Sequence, residues 1–398
     1  MQTTTGAISI TSTAGAILNG STQNSNLVGG SGSTFALRAV GGIGTTTTPL
    51  QTAIPVLAFQ NTTGNVSISN TGGLRIASVD GLSTSTNTGT TTLVATSPIV
   101  FAVSTTQTSL LVQATESAPT DYDSITVNAG VTVTATSGNL VFEAGDAILV
   151  ATGATVQANA GEIIFRSGLN DTDSNGSMTL NGVIQALAAG QYITLDLNQT
   201  QGATQSATGA LIASSLRLIS NGNTAASFAL GTSTLNDVDT LAAETSGAVT
   251  FKDLDTLTVG SITGSSGIAA MAGISTYAGV SDSAAVSITT GGNLTINQSI
   301  DTMAGSASSV GTVTLNSAGN IILNGAGNIT SDGSVLLTAA NGIQTDADIT
   351  TTSDNVTLAS ATTLTGAVAI STDSGAGTIN FNSTLDGTHN LTLTAGTG

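Results

Sequence analysis

Gly292-Asn293-Leu294-Thr295-Ile296, Gly311-Thr312-Val313-Thr314-Leu315, Gly319-Asn320-Ile321-Ile322-Leu323 and Gly333-Ser334-Val335-Leu336-Leu337 are four copies of one short phrase. Each runs glycine, any residue, an aliphatic, any residue, and a second aliphatic. Strict alternation of this kind is a strand with one buried face. The Gly and Asn residues between copies supply the left-handed backbone that a tight corner needs. The phrase occurs upstream as Gly64-Asn65-Val66-Ser67-Ile68, Gly138-Asn139-Leu140-Val141-Phe142, Gly161-Glu162-Ile163-Ile164-Phe165 and Gly247-Ala248-Val249-Thr250-Phe251. Downstream it returns as Gly377-Thr378-Ile379-Asn380-Phe381, and with another opening residue as Asp354-Asn355-Val356-Thr357-Leu358 and His389-Asn390-Leu391-Thr392-Leu393.

Short strands separated by Gly/Asn corners suit a solenoid in which each coil stacks on the last. Leu294, Val313, Val335, Val356 and Ile379 follow one another at 19, 22, 21 and 23 residues. That spacing predicts an all-β chain, a three-sided parallel β-helix with coils of roughly 21 residues. The 398 residues then make about 19 coils, a rod of roughly 90 Å at the spacing of neighbouring strands. Weaker strands at Ile329, Ile349 and Leu364 would form the other sides. A tandem of β-sandwiches would carry longer strands and core Trp or Tyr, whereas this chain has no Trp and three Tyr. No Pro/Ser linker divides it, so residues 1–398 read as one continuous domain.

Composition removes several function classes. Five Lys and Arg against 23 Asp and Glu give a net charge of −18. The basic residues, Arg38, Arg75, Arg166, Arg217 and Lys252, are scattered singly, which leaves nothing to neutralise a nucleic-acid backbone. No run approaches the ~18 apolar residues of a membrane helix, so membrane insertion is not expected. Disorder calls for low hydrophobicity and high charge, but 39% of residues are hydrophobic and 7% charged. With no Cys, disulfides and thiolate metal sites are absent.

Several stretches resemble a known family. They are Leu37-Arg38-Ala39-Val40-Gly41-Gly42-Ile43-Gly44 with Pro49-Leu50-Gln51-Thr52, Asn61-Thr62-Thr63-Gly64-Asn65-Val66, Asn70-Thr71-Gly72-Gly73-Leu74 and Asp80-Gly81-Leu82. Further along are Thr126-Val127-Asn128-Ala129-Gly130, Met178-Thr179-Leu180-Asn181-Gly182 and Asn236-Asp237-Val238-Asp239-Thr240-Leu241. Together they resemble the repetitive passenger region of filamentous-haemagglutinin-like giant exoproteins and autotransporter adhesins. The resemblance implies a right-handed β-helix, bacterial, secreted or cell-surface, used as an adhesin shaft or extracellular filament. The Asn-Pro-Asn signature of the family's secretion domain does not occur, nor does a membrane-barrel pattern. The chain is therefore expected to be an internal segment of a larger protein. Its expected partners are neighbouring coils of that protein, a second copy end to end, or a receptor or glycan on a host or neighbouring cell.

The sharpest local signal is Asp171-Thr172-Asp173-Ser174-Asn175-Gly176. Oxygen donors at alternate positions before a Gly turn make the first half of a calcium loop, so Asp171, Asp173 and Asn175 are the candidate metal ligands and calcium the candidate ion. The twelfth position, a Glu in a helix-flanked calcium loop, is Gly182, so such a site would need backbone carbonyls and water. The same residues also suit a solvated polar corner. The pairs Asp121/Asp123, Asp237/Asp239, Asp253/Asp255 and Asp346/Asp348 have strand spacing and are expected at solvated edges.

No catalytic residues are singled out, and an enzyme is not expected. Some parallel β-helices are polysaccharide lyases or hydrolases, and two carboxylates can cleave a glycoside, which makes a carbohydrate-active β-helix the alternative function. Such a site needs clustered acids, bases and sugar-stacking aromatics. His389 is the one His and opens a strand phrase next to Asn390. An ice-binding face would need Thr-x-Thr at one place on every coil, and Thr84–Thr86, Thr90–Thr92, Thr132–Thr134 and Thr392–Thr394 keep no such period. Tyr122 and Tyr277 lie in stretches that break the coil rhythm and are the aromatic candidates for a partner contact. Ile8, Ile10, Leu391 and Leu393 are the aliphatics expected to stack across an end-to-end contact.

Overall fold

The computed structural model describes residues 1–20, 25–117, 122–198, 201–220, 226–277, 283–303 and 310–396. They fall into two compact units, Met1–Gln199 with Thr208–Ile212, and Thr200–Ala207 with Ala213–Gly398. Among the described residues there is no helix, and the coils number about 15. Both units are β-solenoids of parallel strands with three faces.

In the first unit one face stacks Val66–Asn70, Thr90–Ala95, Ser109–Ala114, Leu140–Ala144, Ile163–Ser167 and Tyr192–Leu197. A second stacks Leu74–Ile76, Ile99–Phe101, Ile125–Val127, Ile148–Val150 and Met178–Leu180. The third stacks Ser85–Asn87, Thr105–Gln107, Thr132–Ala135, Thr155–Ala158 and Val183–Ala186. The first strand, Gln2–Ser12, lies on Leu27–Ala39, with Ile8 on Phe35 and Ile10 on Leu37.

The second unit repeats the plan. Val249–Asp253, Val286–Thr290, Val313–Ser317, Val335–Ala339, Val356–Leu358 and Ile379–Phe381 make one face. Leu257–Val259, Leu294–Ile296, Asn320–Leu323, Gly342–Thr345, Thr362–Leu364 and Leu385–Gly387 make the next. Ile274–Ser275, Ile300–Asp301, Ile329–Ser331, Ile349–Thr351, Val368–Ser371 and Leu391–Thr394 complete it. The weaker strands at Ile329, Ile349 and Leu364 thus form the other sides, as the spacing predicts.

The expected count of about 19 coils is corrected downward. Leu294 and Val313 are not successive rungs of one stack. Leu294 lies between Leu257 and Ile321, and Val313 between Val286 and Val335. They lie on different faces, Leu294 in the coil that Val286 opens and Val313 at the start of the next. Three strands share the same phrase, so its recurrence marks faces as well as coils. Insertions lengthen other coils, as between Val249 and its rung Val286. One insertion carries a small antiparallel pair, Ser261–Ile262 with Met271–Ala272.

The core is the inward half of each strand. Val313, Leu315, Val335, Leu337, Val356 and Leu358 are fully or almost fully buried and sit rung on rung. Each such aliphatic contributes roughly 1.5–3 kcal/mol. Phe101, Phe142 and Phe165 pile up inside the first unit, with ring centroids 5.8 and 5.1 Å apart and planes tilted by 13° and 3°. Corners carry polar side chains that satisfy the backbone. The Asn61 amide donates to the Thr63 and Gly64 carbonyls and to Asn87 Oδ1 on the next coil, at 2.7, 3.1 and 2.8 Å. At Gly161 the coils come too close for a side chain, since an added Cβ would lie 2.2 Å from the Gly138 carbonyl oxygen.

Candidate metal centre

Three strands of the first unit that stack in register end at Ala114, Ala144 and Ser167. The chain turns the same corner after each. Glu116 and Asp146 lie two residues past the first two ends, and Asp171 lies four past the third. Stacking therefore brings three carboxylates from successive coils together. One oxygen from each of Glu116, Asp146 and Asp171 lies within 4.8 Å of the other two.

Each carboxylate is held differently. Asp171 accepts the backbone N–H of Asp173 and Ser174 on Oδ1, at 2.9 and 2.6 Å, and that of Gly176 on Oδ2, at 2.7 Å. It folds its own loop around itself, which explains the positive φ of 67° at Ser174, three residues on. Glu116 Oε1 accepts the Thr172 hydroxyl at 2.6 Å, while Oε2 is buried with no partner. Gly145 makes room for it, because a Cβ there would lie 2.9 Å from Glu116 N and from Oε2. Asp146 is 1% exposed. Its Oδ2 accepts the Asp123 N–H at 2.6 Å, and its Oδ1 is buried without a hydrogen-bond partner.

The electrostatics follow from this crowding. Burial, above all, pushes the Asp146 carboxyl up to about 6, against the opposing Asp123 N–H, and the charges of Asp173, Glu116 and Asp171 add to the rise. Asp173 is also raised, by desolvation first and then by its hydrogen bond to Asp171 and the charges of Asp171 and Glu116, while the Asn175 N–H acts in the other direction. Among the described residues no basic side chain forms an ion pair with Glu116 or Asp146. Arg166, on the strand that ends at Ser167, is committed to Glu143 at 2.6 Å and Asp196 at 3.5 Å. A pocket of about 330 Å³ opens beside the corner, bounded in part by Glu116, Glu143, Gly145, Leu169 and Asn170.

Of the residues singled out in the sequence, Asp171 is in the group, Asp173 is beside it, and Asn175 meets it through its backbone N–H. Glu116 and Asp146 were not singled out. Their signal is their equal offset from the paired residues Ala114 and Ala144, legible only once the register is known.

The other candidates lie apart. Asp121 is outside the described residues. Its pair-mate Asp123 is fully buried and accepts the Ser117 N–H at 2.7 Å. Asp237 and Asp239 are exposed. Asp253, expected at a solvated edge, is instead 1% exposed and accepts the N–H of Val238 at 3.0 Å and of Asp255 at 3.1 Å. Asp346 is half-buried and Asp348 exposed. His389 is exposed, and so is Tyr122, at 72%. The Tyr277 hydroxyl donates to Asp301 Oδ2 at 2.9 Å, so that ring is engaged by its own unit.

Compared with known proteins, the chain matches no protein-family model, no curated protein and no solved structure. The class of molecule rests on the fold itself, a β-solenoid with a carboxylate cluster at one stacked corner.

Proposed function

We propose that this chain is a structural and adhesive shaft segment of an exported bacterial surface protein, working outside the cell. The observation that carries the reading is the unbroken register on each face: within each unit, six successive strands of one face stack residue on residue. Each inner rung shares backbone hydrogen bonds with two neighbours, so bending must strain several ladders at once. Thr recurs at the outward positions, as at Thr126, Thr179, Thr258, Thr295, Thr330 and Thr357, and the net charge of −18 favours solubility. The resemblance to haemagglutinin-like passenger repeats points the same way.

The partner would be a receptor or glycan on another cell, or a further copy stacked on an open coil edge. The strand Leu391–Thr394 pairs on one side, with Val368–Ser371, among the described residues, and an open strand edge is what such stacking uses. The test is adhesion: beads coated with the chain are scored for attachment to host and bacterial cells, beside a screen for polysaccharide cleavage. Attachment without turnover is the expected result. Robust turnover of a polysaccharide would overturn the reading in favour of a carbohydrate-active β-helix.

A further inference from the structure

We propose that Glu116, Asp146 and Asp171 bind one calcium ion at the stacked corner, with Asp173 at its side, so that the cation ties three successive coils and the 168–177 loop together. This site is independent of the shaft reading.

Two observations carry it. The first is the geometry, with carboxylate oxygens from three coils within 4.8 Å of one another. The second is Asp146. It is 1% exposed, its carboxyl is turned into the group, and its Oδ1 has no hydrogen-bond partner. Glu116 Oε2 and Asp173 Oδ1 are also buried and unpartnered. A carboxylate oxygen withdrawn from water without a donor is costly, and three residues of this one corner carry such an oxygen. A hard cation satisfies them together.

The donor set selects the ion. All donors are oxygens, which suit calcium or magnesium rather than a softer metal. Calcium takes six to eight oxygens at about 2.3–2.6 Å in adaptable geometry, while magnesium demands an octahedron at about 2.0–2.1 Å and keeps much of its water. Two oxygens on opposite sides of a calcium ion are separated by up to about 5 Å, and the three oxygens here lie within 4.8 Å of one another. Its ligands come from three separate coils, an irregular set that suits calcium's adaptable geometry better than a strict octahedron. The adjoining pocket along Glu116 and Gly145 leaves space for water to complete the shell.

The test uses the whole chain. Metal-free protein is titrated with calcium chloride by calorimetry, and its melting is followed in calcium and in chelator. Wild type is compared with Asp146→Asn and with Glu116→Gln, whose half-buried side chain makes it the safer variant for folding. One bound equivalent is expected, with a higher melting temperature in calcium and binding weaker by about tenfold or more in each variant. In chelator, Asp146→Asn should melt no lower than wild type, because it removes a buried charge from a like-charged group. Absence of both heat and melting shift overturns the proposal. Undiminished binding in both variants also overturns it, by placing the ion elsewhere. An equal response to magnesium chloride overturns the assignment to calcium.

Discussion

Asp253 buries its carboxyl at 1% exposure with the N–H groups of Val238 and Asp255 as donors. Burial pushes it up to about 7, against those donors, and the charges of Asp255 and Asp237 add to the rise. The native state therefore holds a proton that the unfolded chain has already lost above its ordinary value of 3.8. Stability falls as pH rises through that window and levels off above about pH 7. Melting in a buffer series from pH 4.5 to about pH 8 should show this decline, and Asp253→Asn should make it shallower, leaving the part that Asp146 contributes. A slope unchanged by the substitution would assign the titration to another group. The Asp253/Asp255 spacing predicts one shared exposed face, but the strand ends at Asp253. Alternation ends with it, and only Asp255 reaches solvent. Arg217 is a second residue whose setting its neighbours conceal. It is fully buried, donating to Ser265 Oγ at 2.8 Å and to the Thr263 carbonyl at 3.4 Å. Arg217→Ala leaves a cavity and unpaired acceptors, and should lower stability by about 2–4 kcal/mol in urea denaturation.

At the scale of the strand, the glycine-led phrase is the unit of folding. Its alternation predicts correctly which residues point inward: Val249 and Phe251, Val313 and Leu315, and Val335 and Leu337 are all buried. It cannot say which face a strand joins, because the three faces use the same phrase, and the coil count suffered for that reason. Depth of packing is set by what lies on the rungs above and below. Phe142 sits between Phe101 and Phe165, so Phe142→Ala should cost about 3–5 kcal/mol and Phe142→Leu distinctly less. Equal losses in the denaturation midpoint would show that the stack has no specific role. Gly161→Ala should also destabilise, although it adds only a methyl, because the new Cβ would be driven into the Gly138 carbonyl.

For the molecule as a whole, parallel stacking means that any strand edge left open is competent to pair. Leu393 is 49% exposed on the Leu391–Thr394 strand, which pairs on one side among the described residues. A net charge of −18 opposes association, and salt screens it. Self-association measured by light scattering should therefore increase between low salt and about 0.5 M sodium chloride. Leu393→Lys, which places a charge on that edge, should reduce it. Scattering that is independent of both salt and this substitution would remove edge stacking from the account.

The sequence by itself determined the class of fold, because alternation at period two, glycine corners and the scarcity of charge and aromatics leave a solenoid as the way to bury so many short strands. It also placed Asp171 and Asp173 in an acidic loop, because their spacing is local. Only the tertiary structure decided which rungs stack, how many coils there are, and that Glu116 and Asp146 join Asp171. Those facts depend on register between coils more than twenty residues apart, which insertions shift and no local pattern records.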